Sequence, residues 1–281
     1  MLCASICHTD ISGTKGFPHT NFPIALGHEG VGVIESVGDQ VTNLKEGDVV
    51  IPTYIGECQE CENCVSEETN LCVTYPVRWT GLQPDNTSRM SVRGQRLYHI
   101  LSCSTWSEYM VSDANYVLKV EPTIDPIHAS FISCGFSTGF GAAWKEAKVE
   151  SGSIVAVFGL GAVGLGNNLI CLCQFFLTSI HDDNDLVTCV GTGKAIVIGA
   201  GTEPILPLGL LAILLGRTLK GSIFGGLKAT SDLSVIANKC HKKEFPLQEL
   251  LTHEVPLADI NKAFELLKQP NCVKVFMNMS H

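Results

Sequence analysis

An α/β protein in two domains is what this chain predicts, on three observations. The first 120 or so positions carry short β-type runs separated by Gly, Pro, Asn and Asp, the pattern of an antiparallel, barrel-like domain. Near residue 138 the pattern changes to a helical stretch followed by an apolar strand, as in a parallel sheet covered on both faces. Directly after that strand comes a turn with three glycines, the context of a dinucleotide-binding loop.

Taken in order, the runs GVGVIESVG (30–38), DVVIP (48–52), WSEYMVS (106–112) and YVLKV (116–120) are the expected strands of the first domain. Residues 138–150, TGFGAAWKEAKVE, read as a helix, and SIVAVFG (153–159) as a buried parallel strand. An apolar segment follows, then the acidic HDDND (181–185), a second apolar strand AIVIGA (195–200), and GSIFGG (221–226). Helical periodicity returns in SDLSVIANKC (231–240) and DINKAFELLKQ (259–269), before a last strand, CVKVFMNM (272–279).

Composition narrows the function. A chain of 281 residues buries a substantial core and fits two ordinary domains. Its net charge of −9 argues against nucleic acid or an acidic membrane surface as partner and leaves a small neutral substrate open. The first residues, MLCASICHTD, lack the basic and apolar regions of a signal peptide. Without such a leader, 13 cysteines imply a reducing compartment, by default the cytoplasm. The apolar stretches at 169–177 and 205–215 fall short of the ~20 residues a membrane span requires, so no membrane partner is expected.

Three motifs carry chemistry. Cys58, Cys61, Cys64 and Cys72 form C-x2-C-x2-C-x7-C in a polar stretch with no apolar pattern to order it, and four thiolates close a tetrahedral zinc site. Free or disulfide-linked cysteines are the competing reading. Cys7-His8-Thr9-Asp10, Gly27-His28-Glu29 and Ser133-Cys134-Gly135 combine into a second zinc site. Its ligands are Cys7, His28 and Cys134, and one position stays open for chemistry. Each of these residues alone has an ordinary reading as an inert buried cysteine or a hydrogen-bonded core histidine. The third motif is Gly159-Leu160-Gly161-Ala162-Val163-Gly164, whose glycines let backbone N–H groups approach a pyrophosphate. Asp183, about 20 residues on, is the candidate for the ribose hydroxyls, against the alternative of a solvated acidic loop.

Together these segments resemble the zinc-dependent medium-chain alcohol dehydrogenases, in the plant alcohol-dehydrogenase-like group. CHTD, GHE, GEC-x2-C-x2-C-x7-C, ISCGFSTGFGAAWK, VFGLGAVGLG, GRTLKGSIFGG and ADINKAFELL occur in the family's order, so the likeness covers roughly 1–166 and 191–281. The resemblance implies a catalytic domain with a GroES-like antiparallel β-barrel over 1–137, an incomplete Rossmann-type domain over 138–223, and a return to the catalytic domain over 224–281. It implies two zinc ions per chain, NAD, a homodimer, and an active site between the domains. The Cys2His set is the one for which alcohol dehydrogenase is itself the standing example.

Carried over residue by residue, the resemblance gives Cys7, His28 and Cys134 to the catalytic zinc and Cys58, Cys61, Cys64 and Cys72 to the structural one. Thr9 takes the alcohol proton, and Ser12 stands at the end of the relay where many members have histidine. His8 contacts a cofactor phosphate, Asp10 orients the zinc-bound histidine, and Glu29 sits behind the metal. Tyr54 walls the substrate pocket, and Lys274 occupies a basic position, commonly arginine, that reaches the pyrophosphate. The implied reaction interconverts a primary or secondary alcohol and its aldehyde or ketone with NAD.

Departures from the family accompany the match. Met1 lies only six residues before Cys7, so an incomplete barrel is expected. Only 30 residues separate Gly164 from Ala195, too few for the strands and crossovers of a full nucleotide-binding sheet, so that sheet is expected to be truncated. The segment at 167–190 does not resemble the family. Two further readings stay open: a catalytically inactive zinc-binding fragment, and the S-(hydroxymethyl)glutathione dehydrogenase branch.

Overall fold

The computed structural model describes residues 1–168, 175–178, 193–199 and 210–279. The chain divides into two compact units, Met1–Gly135 with Lys228–His281, and Phe136–Leu227.

The first unit is built on a six-stranded sheet. Its strands run in the spatial order His253–Pro256, Val275–Asn278, Cys3–Ser5, Glu29–Val33, Val49–Pro52, Val117–Lys119. All neighbours pair antiparallel except the first two, which are parallel. The central strand Cys3–Ser5 is buried throughout because it is paired on both edges and covered by the helix Pro126–Ile132. That helix starts where Asp125 accepts from the N–H groups of Ile127 and His128 and Pro126 supplies a preset first turn. Ala4, Ile6, Val255, Ala263, Val275 and Met277 form an apolar core, onto which the helix Ile260–Leu266 packs.

In the second unit the helix Gly135–Gly141 runs into a wider π-helical turn over Ala142–Ala147, closed by Lys148 in the left-handed region. The expected helix at 138–150 thus starts and ends about three residues earlier. Among the described residues of this unit the parallel strands form two separate pairs, Val155–Phe158 with Phe175–Thr178 and Lys194–Val197 with Thr218–Gly221.

Two expectations are corrected. SIVAVFG does form a parallel strand, but only Val157 in it is buried and Ile154 is 78% exposed. WSEYMVS is not a strand: its apolar residues do not share one buried face, Tyr109 and Val111 being exposed. Trp106 instead ties this segment inward, donating from Nε1 to the Ser5 carbonyl at 3.2 Å. No helix among the described residues is long and apolar enough to cross a membrane.

Candidate metal centres and glycine turn

The first centre is assembled by three elements of the first unit. Cys7 precedes the short helix His8–Gly13, whose third residue, Asp10, reaches back to accept from the Cys7 N–H at 3.1 Å. His28 and Glu29 enter the strand Glu29–Val33, and Cys134 follows the end of the helix Pro126–Ile132. One ligand atom from each of Cys7, His28, Glu29 and Cys134 lies within 4.8 Å of all the others.

Asp10 organises this set. Fully buried, it accepts from the Gly27 N–H at 2.9 Å and pairs with His28 Nδ1 at 3.1 Å. With Nδ1 committed to a carboxylate, Nε2 is the nitrogen left for a metal. The Tyr54 hydroxyl is 3.6 Å from Cys134 Sγ, and its ring meets the His28 ring edge-on at 5.6 Å. Thr9 Oγ1 is 3.7 Å from Cys7 Sγ, and Ser12 lies three residues further along the same helix. His8 opens that helix and is exposed.

Burial pushes the His28 imidazole down, but the Asp10 carboxylate and the Cys134 sulfur outweigh it and hold the ring well above its usual value. The hydrogen bond with Cys134 holds the Cys7 thiol well below the ordinary range, and the same bond raises Cys134. Two sulfurs and an imidazole competing for protons in a dry site are a donor set that suits a divalent cation, which binds by displacing those protons.

Glu29 completes the cluster with both oxygens already engaged. Oε1 accepts from the Gly135 N–H at 3.0 Å, while Oε2 takes the Ser5 hydroxyl and the Lys274 ammonium. Burial raises the Glu29 carboxyl, opposed by Lys274. Lys274, expected from the sequence at a cofactor pyrophosphate, is buried and ion-paired with Glu29. The cause is sheet register, since the Ile6 N–H donates to the Val275 carbonyl at 3.0 Å and draws the start of the last strand against the Cys7 segment. The motifs did not reveal Ser5. Its signal is register too, Ser5 standing opposite Glu29 in the antiparallel pair.

Cys58, Cys61, Cys64 and Cys72 form the second cluster, again with all ligand atoms within 4.8 Å. Sulfur separations of 3.9 Å for Cys58 to Cys64 and 3.8 Å for Cys61 to Cys72 far exceed the ~2.05 Å of a disulfide, and all four are free. A backbone N–H from Val73 is the main reason the Cys61 thiol falls to about 6, and burial pushes Cys64 up to about 12. Two residues outside the motif fasten this loop. Lys228 Nζ donates to the carbonyls of Cys64 and Ser66 at 2.6 and 2.9 Å. The Glu57 carboxylate accepts from the N–H groups of Thr230 and Ser231 and from the Ser231 hydroxyl, at 2.7 to 2.9 Å.

In the second unit the three glycines each meet a different demand. Gly159 has φ +94°, which side chains rarely adopt, and a Cβ on Gly164 would stand 1.9 Å from the Gly159 carbonyl oxygen. Gly161 faces open space, and Leu160 beside it is exposed. Ala162, Val163 and Gly164 begin the helix Ala162–Asn168. A strained first position, an open second and a close-packed third are what a pyrophosphate-binding turn requires. Asp183, the expected ribose contact, lies outside the described residues.

Comparison with known proteins places the chain in a family. The profile of the alcohol dehydrogenase GroES-like domain matches residues 1–122. A Catharanthus roseus protein named CYP enzymes assisting alcohol dehydrogenase is 48% identical over 340 aligned positions, spanning 99% of this chain and 90% of the relative. Alcohol dehydrogenase 1 of Artemisia annua is 44% identical over 99% of this chain and 89% of its own length. Both alignments are longer than the chain's 281 residues, so gaps in this chain are part of the likeness. Among solved structures, an alcohol dehydrogenase zinc-binding domain protein from Burkholderia ambifaria shares the fold at TM-score 0.81 with 22% identity, covering all of this chain and 90% of that one. Benzyl alcohol dehydrogenase from Acinetobacter calcoaceticus does so at 0.78 with 20% identity, covering 99% of this chain and 90% of that one.

Fold and likeness define a two-domain dehydrogenase class, a GroES-like domain joined to a Rossmann-like α/β domain. The chain belongs to the zinc-dependent medium-chain alcohol dehydrogenases, oxidoreductases that interconvert alcohols and their carbonyl counterparts.

Proposed function

We propose that this chain oxidises a primary or secondary alcohol to its aldehyde or ketone, or runs the reverse reduction, with NAD. The observation that carries the reading is the convergence of the ligand atoms of Cys7, His28 and Cys134 within 4.8 Å. These three would hold a catalytic zinc, and Cys58, Cys61, Cys64 and Cys72 a structural one, giving two ions per chain. Zinc at the first site would supply a Lewis acid, and NAD would take the hydride.

The chain's own residues do the rest. Thr9 accepts the alcohol proton at Oγ1, and Ser12 passes it toward water. Asp10 fixes the His28 ring by its hydrogen bond to Nδ1. Tyr54, whose ring meets the His28 imidazole edge-on, walls the substrate pocket. The Gly159–Gly164 turn accommodates the cofactor pyrophosphate, His8 contacts a phosphate, and Asp183 holds the ribose hydroxyls. The reading extends to a homodimer in the cytoplasm, where the cysteines remain reduced.

An inactive zinc-binding fragment is favoured by one observation, that the described parallel strands form two isolated pairs. Isothermal titration of zinc-loaded protein with NAD separates the two readings. Saturable NAD binding, followed by NADH formation on adding a simple alcohol, supports the enzyme. Absence of any binding heat selects the fragment. Faster turnover of S-hydroxymethylglutathione than of ethanol would move the substrate to the glutathione-dependent branch.

A further inference from the structure

Glu29 is the fourth member of the first centre. Its carboxylate belongs to the same 4.8 Å cluster as Cys7, His28 and Cys134. Four protein donors fill a zinc tetrahedron, whereas three leave a position for substrate. Both carboxylate oxygens are nevertheless occupied by other partners. Oε1 accepts from the Gly135 N–H at 3.0 Å, and Oε2 takes the Ser5 hydroxyl and the Lys274 ammonium.

Lys274 is itself tightly placed. Only 2% of it is exposed, and Nζ lies 5.4 Å from the centre of the Phe131 ring. Its carbonyl accepts from the N–H groups of Thr252 and His253, both at 3.2 Å, which fixes the backbone from which the side chain reaches inward. A buried carboxylate beside a dication moves to it unless another charge opposes the move, and a neutral donor is a weak competitor for that role.

Resting on the reading that Cys7, His28 and Cys134 hold a metal, we infer that Lys274 is a positioning residue. Its ammonium, with the Ser5 hydroxyl, holds the Glu29 carboxylate off the metal and so keeps one coordination position free for a small ligand. The function assigned to Lys274 is therefore to act through Glu29 on the openness of the centre.

The test uses the full chain loaded with cobalt(II), titrated with imidazole and followed by the change in visible absorption, which reports ligand entry at an open site, while the bands of the closed four-cysteine site do not shift. Lys274→Met should weaken imidazole binding on the order of tenfold or more, the scale on which partners of metal-site residues act. Lys274→Arg should retain wild-type binding. The double variant Lys274→Met/Glu29→Gln should recover it, because the amide does not compete for the metal.

If Lys274→Met does not fold, Ser5→Ala removes one donor while leaving the ion pair, and it should show a smaller loss that Ser5→Ala/Glu29→Gln reverses. Unchanged imidazole affinity in Lys274→Met, or in Ser5→Ala where that variant is used, overturns the inference. So does a loss that Glu29→Gln fails to reverse. A wild-type cobalt spectrum that ignores imidazole overturns the metal-site reading and the inference with it, whereas a responsive wild type matched by Lys274→Met overturns the inference alone.

Discussion

At the scale of single residues, Thr9 and His99 make separable predictions. The proposed proton relay starts at Thr9 Oγ1, which lies 3.7 Å from Cys7 Sγ. Thr9→Val keeps the shape and removes the relay. Alcohol oxidation should fall about 10²–10⁴-fold with zinc content unchanged, as measured by steady-state kinetics beside metal analysis. His99 is fully buried, its two ring nitrogens 2.7 Å from the Ser104 hydroxyl and 3.0 Å from the Ser88 hydroxyl. Burial, with a smaller push from Arg89, lowers its pKa below the ordinary value. The unfolded state then binds more protons than the folded one wherever the two differ. Stability from this group is full above about pH 6.5, the unfolded value, and is lost as pH falls through the lower folded value. The melting temperature should therefore drop on going from pH 7 to pH 5, and His99→Asn should drop less over the same interval. Equal slopes in the two proteins would refute the assignment. The Lys274 pairing belongs to this scale as well: the sequence identified a basic residue but not its partner, which only register reveals.

At the scale of elements, the four-cysteine loop and the helix Ser231–His241 act as one fastening. Glu57 caps the first turn of that helix from more than 170 positions away, and Lys228 binds two loop carbonyls in return. Removing the capping carboxylate with Glu57→Ala should cost about 1–2 kcal/mol, seen as a fall of a few degrees in melting temperature. Stripping zinc from the loop should speed amide exchange both at 58–72 and in the first turn of the helix, since the fastening depends on a loop with no apolar core of its own. Exchange that rises in the loop alone would show the two are independent. The elements that sequence located best are those with strong local signals. SDLSVIANKC carries a helical stripe, and CVKVFMNM is a buried strand that pairs with Cys3–Ser5. WSEYMVS misled because aromatic and β-branched residues mark strands only when one face is covered, and here Tyr109 and Val111 are in water.

At the scale of the whole molecule, the metal-binding unit was legible because its chemistry is carried by rare residue types at fixed spacings, which geometry then gathers into two clusters. The Rossmann-like unit was less so. Its glycine turn is readable from spacing alone, but the strand before it, read from sequence as buried, has only Val157 buried. Three segments of the first unit, separated by about 100 residues at the widest interval, meet at Cys7, His28 and Cys134, and the proposed chemistry depends on that meeting. Counting zinc by atomic emission in the purified full chain and in Cys134→Ser tests this most directly. Two ions per chain falling to one in the variant, with alcohol oxidation abolished and the four-cysteine site still filled, is the predicted result. A wild-type chain holding a single ion, or a variant that keeps both, would contradict it.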